Sequence, residues 1–424
     1  MGSPFHSSDA QHHDIIVIGA GIIGVTCALQ LARQGKRVTV IDRRPPGHGA
    51  SFGNAGHLAS EQVFPIADLS ILKRLPKMLL DPMGPLRLDW KYLPRALPWF
   101  ARLLLNLRTA PFTRTVAGIR ALNESSLKAW QRLLTSVERT HLLKQDGSLL
   151  VFERNESRPA IQTLQQRMRD QGVAVDLWTA QAVREAAPQL NEQIQGGLFF
   201  PQTGHFLDPY TLVCELVEAA KGAGVVFVDQ QVLSAKVTPD GVSLKTGAGE
   251  WNARQVLIAC GAHSASLTTA LTGKSVPLDT ERGYHLMLPG EHHRLPFAVT
   301  SFERKFIMTP MTDGLRLAGT VEFAGLHSPP NMARAWQLHR LSQGLFAQDL
   351  TVEGATPWMG FRPSLPDSLP IIDQVCDGKV LLAFGHQHLG LTQAAITAEM
   401  IARLVSGDSA IGLPPYGPYR LDRF

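Results

Sequence analysis

Six residues near the N-terminus, Gly19-Ala20-Gly21-Ile22-Ile23-Gly24, constrain this chain more than any other feature. They follow the apolar run DIIVIG (14–19) and precede a helical pattern from about Ile22 to Gln34, after which RVTVID (37–42) ends on Asp42. A continuous apolar run closing on glycine reads as a buried parallel strand, so the segment is a βαβ unit. In such a unit Gly19 permits the tight turn, Gly21 lets backbone approach a pyrophosphate, and Gly24 lets the helix pack on the sheet. Ile22 and Ile23 open a helix whose N-terminus faces the anion, and Asp42 is placed to accept hydrogen bonds from a ribose. The unit is a dinucleotide site.

Two dinucleotides share this motif, and the rest of the chain separates them. An NAD enzyme usually continues as a second regular βαβαβ half. Here Arg43-Arg44, a Pro/Gly break and the small-residue loop SFGNAGHL (51–58) follow, and then a long segment rich in Leu, Pro, Trp and Arg interrupts the nucleotide fold. That favours FAD. An amphipathic pattern continues to about Thr140. Strands are expected at 147–153, 198–206 with a bend, 225–233, around a turn at Asp240-Gly241, at 254–262, several times between Thr280 and Gly319, and at 379–384. Helices are expected at 157–171, 209–222, 333–347 and 392–405. The nucleotide-type elements lie at both ends and in the middle, so a second domain is inserted in two pieces.

At 424 residues the chain exceeds a single ordinary core. Its 44% hydrophobic and 18% charged content describe a globular protein, and no stretch gives the 18 unbroken apolar residues of a membrane span. Residues 1–13 are short and polar with no leader pattern, so a disordered tail and cytoplasmic residence are expected. Cys27, Cys214, Cys260 and Cys376 form no C-x-x-C pair and read as buried thiols, with no metal site. The net charge of +5 is regional: between Lys73 and Arg120 ten basic residues face Asp81 and Asp89, and the remainder is slightly acidic. No nucleic-acid-binding signature accompanies the cluster. Combined with Leu72, Leu75, Met78–Leu80, Leu93, Leu97, Trp99, Phe100 and Leu103–Leu105, it makes residues 70–110 a candidate for peripheral contact with an anionic membrane, at the inner face of the cell membrane.

GAGIIG with Asp42, SFGNAG (51–56), IACGA (258–262), WMGFRPSLPDSLPIID (358–373) and FGHQHLGLT (384–392) together resemble the D-amino-acid oxidase superfamily of FAD oxidoreductases. The bacterial D-amino-acid dehydrogenases are nearest in pattern, with hydroxyproline dehydrogenases close by. The resemblance implies an α/β chain: an FAD-binding Rossmann-like domain of the glutathione-reductase type (14–70, 206–264, 356–424) with an inserted α+β substrate domain of mixed or antiparallel sheet (71–205, 265–355). It implies non-covalent FAD, since no cysteine matches a covalent linkage. Ser51, Asn54, Ala55 and Gly56 would lie along the flavin and its phosphates, with His57, Arg43 and Arg44 nearby. Val232 would meet the adenine and Gly261 the pyrophosphate. Gly385, His386, His388, Leu389, Gly390 and Thr392 would bring a helix N-terminus to the isoalloxazine, where charge develops on reduction.

By the same resemblance Arg362, in G-F-R-P, would hold a substrate carboxylate in a bidentate pair, with Arg282, in E-R-G-Y-H, as the second candidate. Tyr284, His285 and His388 are further candidates for the substrate site. The implied reaction is oxidation of a small D-amino or imino acid, with hydride passing from Cα to flavin N5 and electrons going on to a quinone or other carrier. Alignment and carboxylate binding suffice for it, without a dedicated base. Two readings compete: a glycine, sarcosine or hydroxyproline oxidase or dehydrogenase using oxygen or a partner subunit, and a non-enzymatic dinucleotide-binding protein. The amino acid, its stereochemistry and the oligomeric state stay open.

Overall fold

The computed structural model describes residues 13–65, 84, 86–408 and 411–424. The expected tail, His13 excepted, lies outside the described residues, as do 66–83 and 85 of the basic segment.

The first strand, His13–Ile18, sits mid-sheet, parallel to Val38–Asp42 on one side and to Gly249–Ile258 on the other. Its unbroken apolar run follows from burial on both faces. Ile15 and Val17 enter a core with the helices Ile22–Arg33 and Gly390–Ser406, whereas Ile16 and Ile18 enter a second core with Val256, Ile258, Leu382 and Phe384. Val226–Asp229 extends the parallel set beyond Val38–Asp42, and Val380–Phe384 extends it beyond Gly249–Ile258. The hairpin strands Val232–Thr238 and Gly241–Thr246, with Ile371–Val375, complete an eight-stranded sheet. Asp208 caps the helix Pro209–Gly222 by accepting from the amides of Tyr210 (3.0 Å) and Thr211 (3.3 Å), with Pro209 at its first position.

A nine-stranded mixed sheet forms the other layer. Thr356–Ser364, Asp279–Leu288, Gly314–Phe323 and Phe306–Met311 run antiparallel, neighbour by neighbour, while Ala298–Ser301 pairs parallel with Ser148–Phe152. A short three-stranded sheet joins His57–Leu58, Gly204–Phe206 and Leu143–Lys144.

Two segments sit differently from expectation. Thr356–Ser364, which carries Arg362, pairs along its whole length with Asp279–Leu288 and so belongs to the nine-stranded sheet. The helix Thr109–Ser136 packs on the nucleotide side: Trp130 donates from Nε1 to the Leu391 carbonyl (2.9 Å), and Ile119, Leu122 and Leu133 share a core with Ile396 and Met400. Its apolar stripe packs on the helix Gly390–Ser406. Cys27 is buried, but Cys214, Cys260 and Cys376 are half-buried, and all four are free.

Candidate active site

The strand-to-helix turn is built by its glycines. Gly19 takes φ +112°, and a Cβ there would overlap the Ala259 carbonyl; a Cβ on Gly24 would overlap the Gly19 carbonyl oxygen. Gly21 differs. A Cβ there would have only Ser51 Oγ near it, at 3.4 Å, and would project toward a cavity of about 1120 Å³. The helix beginning at Ile22 has no side-chain cap, and Ser51 Oγ accepts from the Ile22 amide at 2.9 Å. Asp42 holds this corner, accepting from the amides of Ala20 (2.7 Å) and Arg44 (3.0 Å).

Gly19, Gly21, Ile22, Ile23, Asp42, Arg43 and Arg44 all line this cavity, as do Ser51, Asn54, Ala55, His57, Val232 and Gly261. His386, His388, Gly390, Tyr284 and Arg362 line it too, so one space joins the turn to the strands of the nine-stranded sheet. Five candidates shape the site from behind. Gly24 and Gly56 allow close packing, Gly56 at φ +77° beneath Met311; Gly385, at φ +88°, leaves room for Leu365. Leu389 is core, and Thr392 Oγ1 accepts from the Ala59 amide at 3.0 Å.

The two candidate arginines part company. Arg282 is fully buried and donates to the carbonyls of Ala324, Gly325, Ser328 and Pro329, with Glu322 at 3.6 Å. It does not line the cavity, so its place as the second carboxylate-binding candidate is corrected: its donors are spent on a loop. Arg362 lines the cavity and makes one hydrogen bond among the described residues, from Nη1 to the Thr320 carbonyl (3.1 Å). Burial lowers its pKa while the charge of Glu281 opposes that. Glu281, raised by burial, faces Arg362 across the strand pair and accepts from Ser364 Oγ at 2.5 Å.

The histidines also separate. His285 is not in the cavity lining but sits behind two lining residues, donating from Nδ1 to the Gly53 carbonyl (2.9 Å) and stacking on Trp358 at 5.1 Å. Burial pulls it down to about 3, and the expectation that it belongs to the substrate site is corrected to a structural contact. His388 is likewise depressed to about 3, by burial and then by Arg362 and His57; its Nε2 meets Gln62 Oε1 at 2.6 Å, and its buried Nδ1 has no partner among the described residues. His57 goes the other way. Burial lowers its pKa, but the Glu61 carboxylate, 2.9 Å from Nε2, and the Gly204 carbonyl, 3.1 Å from Nδ1, raise it above the ordinary value. Tyr284 donates its hydroxyl to Glu322 at 2.5 Å, and burial pushes it up to about 12.

The sequence model of the family described as "FAD dependent oxidoreductase" (DAO) matches residues 14–404. The chain belongs to that family. It is 34% identical over 417 residues to the D-amino-acid oxidase of Bradyrhizobium diazoefficiens, spanning 96% of this chain and 98% of that one. It is 30% identical over 407 residues to the D-amino acid dehydrogenase of Vibrio atlanticus, spanning 94% and 97%. Glycine oxidase from Geobacillus kaustophilus shares the fold, with a TM-score of 0.73 at 21% identity, covering 97% of this chain and 99% of that one.

This FAD-dependent oxidoreductase is an enzyme of amino donors. Its residues fit the cofactor. The N-terminus of the helix Ile22–Arg33, the side-chain-free approach at Gly21 and the carboxylate of Asp42 meet in one cavity, as a pyrophosphate and ribose require. Sequence reasoning missed Gly283, Thr320, Trp358 and the Glu61–Gln62 pair, all in this cavity or touching its lining. A glycine inside a strand, as at Gly283, signals a bulge or a close approach. Thr320, at φ +61°, carries no local signal, because its conformation is imposed by strand pairing.

Proposed function

We propose that the enzyme oxidises a small D-amino or imino acid at the carbon bearing nitrogen and passes the electrons to a quinone or another carrier. Arg362 carries this reading: a half-buried guanidinium in the FAD cavity whose Nε and Nη2 have no hydrogen-bond partner among the described residues. A planar fork with two open donors suits a carboxylate, and bidentate binding fixes the orientation of Cα. The names of the two relatives, a D-amino-acid oxidase and a D-amino acid dehydrogenase, support the D-amino acid class.

FAD, when bound, supplies the two-electron acceptor for the α-hydrogen. The turn at Gly19–Gly24 and the loop Ser51–Gly56 would hold its pyrophosphate, Asp42 its ribose and Val232 its adenine. Arg362 aligns the substrate. With His388 and His285 held neutral, neither takes the amine proton near neutral pH, so the neutral amine is drawn from the solution equilibrium. A carrier as acceptor is supported by the exposed apolar and basic face of the helix Leu93–Asn106. Oxygen is the second reading, favoured by the name of the Bradyrhizobium relative.

The holoenzyme should be assayed with D- and L-amino acids, glycine, sarcosine and both hydroxyproline series, using a dye acceptor. Turnover of small D-amino acids is expected, with Arg362→Lys losing about 2 kcal/mol from kcat/KM, mostly through KM. Exclusive turnover of an L-amino acid, or an unchanged KM in the lysine variant, would sink the proposal. Stoichiometric hydrogen peroxide under air assigns oxygen as acceptor.

A further inference from the structure

Arg362 lies across the backbone of the neighbouring strand. A Cβ on Gly283 would overlap its Cζ and Nη2 and stand 2.7 Å from Nε, so the guanidinium occupies the place of the missing side chain. Gly283 is paired with Gly360 and has no positive φ, which means that its backbone conformation does not demand glycine. The demand comes from Arg362.

The opposite strand is irregular at this same point. Arg282 pairs with Glu322 and Tyr284 with Gly319, leaving Thr320 and Val321 together against Gly283. Two residues facing one is a bulge, which turns a peptide out of the ladder. Thr320 adopts φ +61°, a strained conformation for a β-branched residue. Its carbonyl thereby accepts from Arg362 Nη1 at 3.1 Å. Strain held at a cavity wall is retained where surrounding pairing enforces it.

We propose that Gly283 and the Thr320 bulge are positioning residues that form a seat for Arg362. Gly283 is the floor on which the guanidinium plane rests, and the Thr320 carbonyl is the stop that occupies one donor. Nε and Nη2 then stay directed to a carboxylate. The seat rests on Arg362 being the carboxylate anchor, and the test separates the two claims.

Propionate, a carboxylate without the amine, is titrated into the FAD-loaded enzyme and followed by the visible absorbance of the bound flavin. Gly283→Ala is expected to weaken propionate binding tenfold or more while retaining FAD and melting temperature. In an Arg362→Ala background, adding Gly283→Ala should change nothing further. Propionate binding that survives Arg362→Ala overturns the carboxylate reading itself. Native binding in Gly283→Ala, with Arg362→Ala impaired, overturns the seat alone, as does a further loss in the double variant. If Gly283→Ala does not fold, Arg362→Ala must restore folding by removing the overlapping group, and failure to do so also overturns the seat. Thr320→Gly keeps both the conformation and the carbonyl, so it should bind propionate within twofold of the native enzyme and melt higher. Loss of binding in that variant, with FAD retained, would show that the side chain, and not the carbonyl, serves Arg362.

Discussion

Gly21 and Gly24 stand three residues apart in one motif, yet their substitution should fail in different ways. The Cβ of a valine at Gly21 meets only Ser51 Oγ in the protein, so the chain should fold and come out colourless, the side chain blocking the pyrophosphate. Alanine at Gly24 overlaps the Gly19 carbonyl and should destabilise the fold itself, by roughly 2 kcal/mol or more. Far-ultraviolet circular dichroism and flavin absorbance on both variants separate the outcomes; a yellow Gly21→Val protein would put the cofactor elsewhere. The turn was legible in the sequence because its constraint is local, a step from a strand to a helix with close packing at Gly19 and Gly24. The distinction between Arg282 and Arg362 was not. Arg282 is satisfied by carbonyls of residues 324–329, more than 40 positions away, and no spacing rule announces that loop.

At the level of elements, the strands and helices were read well where one period dominated, as in the run 13–18 with its two covered faces. Where partners were distant, the period did not reveal them: Thr109–Ser136 serves the nucleotide side, and Thr356–Ser364 joins the sheet opposite. The helix Leu93–Asn106 shows both outcomes at once. Trp99 packs with Leu88 and Phe323, with Phe100 and Leu103 against them, so part of the leucine-rich stripe is core. Its other face is apolar and open, with Leu97, Leu104 and Leu105 about half exposed, beside exposed Arg95, Arg102 and Arg108. Among the described residues no helix is long and apolar enough to cross a membrane, so contact through this face would be peripheral. Co-sedimentation with anionic vesicles at low salt is expected to pellet the enzyme, and Leu104→Glu with Leu105→Glu should abolish this. Equal, negligible pelleting with anionic and neutral vesicles would leave the face without a lipid role, and with it the structural argument for a quinone acceptor.

The loop that lines the cofactor cavity also ties the nucleotide side of the molecule to the nine-stranded sheet. Gly53 accepts from His285, its missing side chain makes room for Trp358, and Arg316 donates to the Asn54 carbonyl at 2.6 Å. Burial and then the charge of Arg316 hold His285 at about 3 although its hydrogen bond to Gly53 opposes them, and burial keeps His386 and His388 at about 3 and His205 at about 4. An unfolded histidine titrates near 6.5, so below that pH the unfolded chain takes up protons that the folded one refuses. Stability from these four groups is therefore present above about pH 6.5 and lost as pH falls toward their folded values. The slope is at most roughly 5 kcal/mol per pH unit for four protons. His57, raised by Glu61, has the opposite sign: its contribution is complete below about 6.5 and fades as pH rises through its folded value. The melting temperature of the holoenzyme should consequently fall steeply from pH 6.5 to 5 and gently on the alkaline side, and Glu61→Gln should remove the alkaline decline and, by leaving the burial of His57 largely unopposed, deepen the acid one. A melting temperature that is flat between pH 7 and 5 would mean that these histidines accept protons in the folded state.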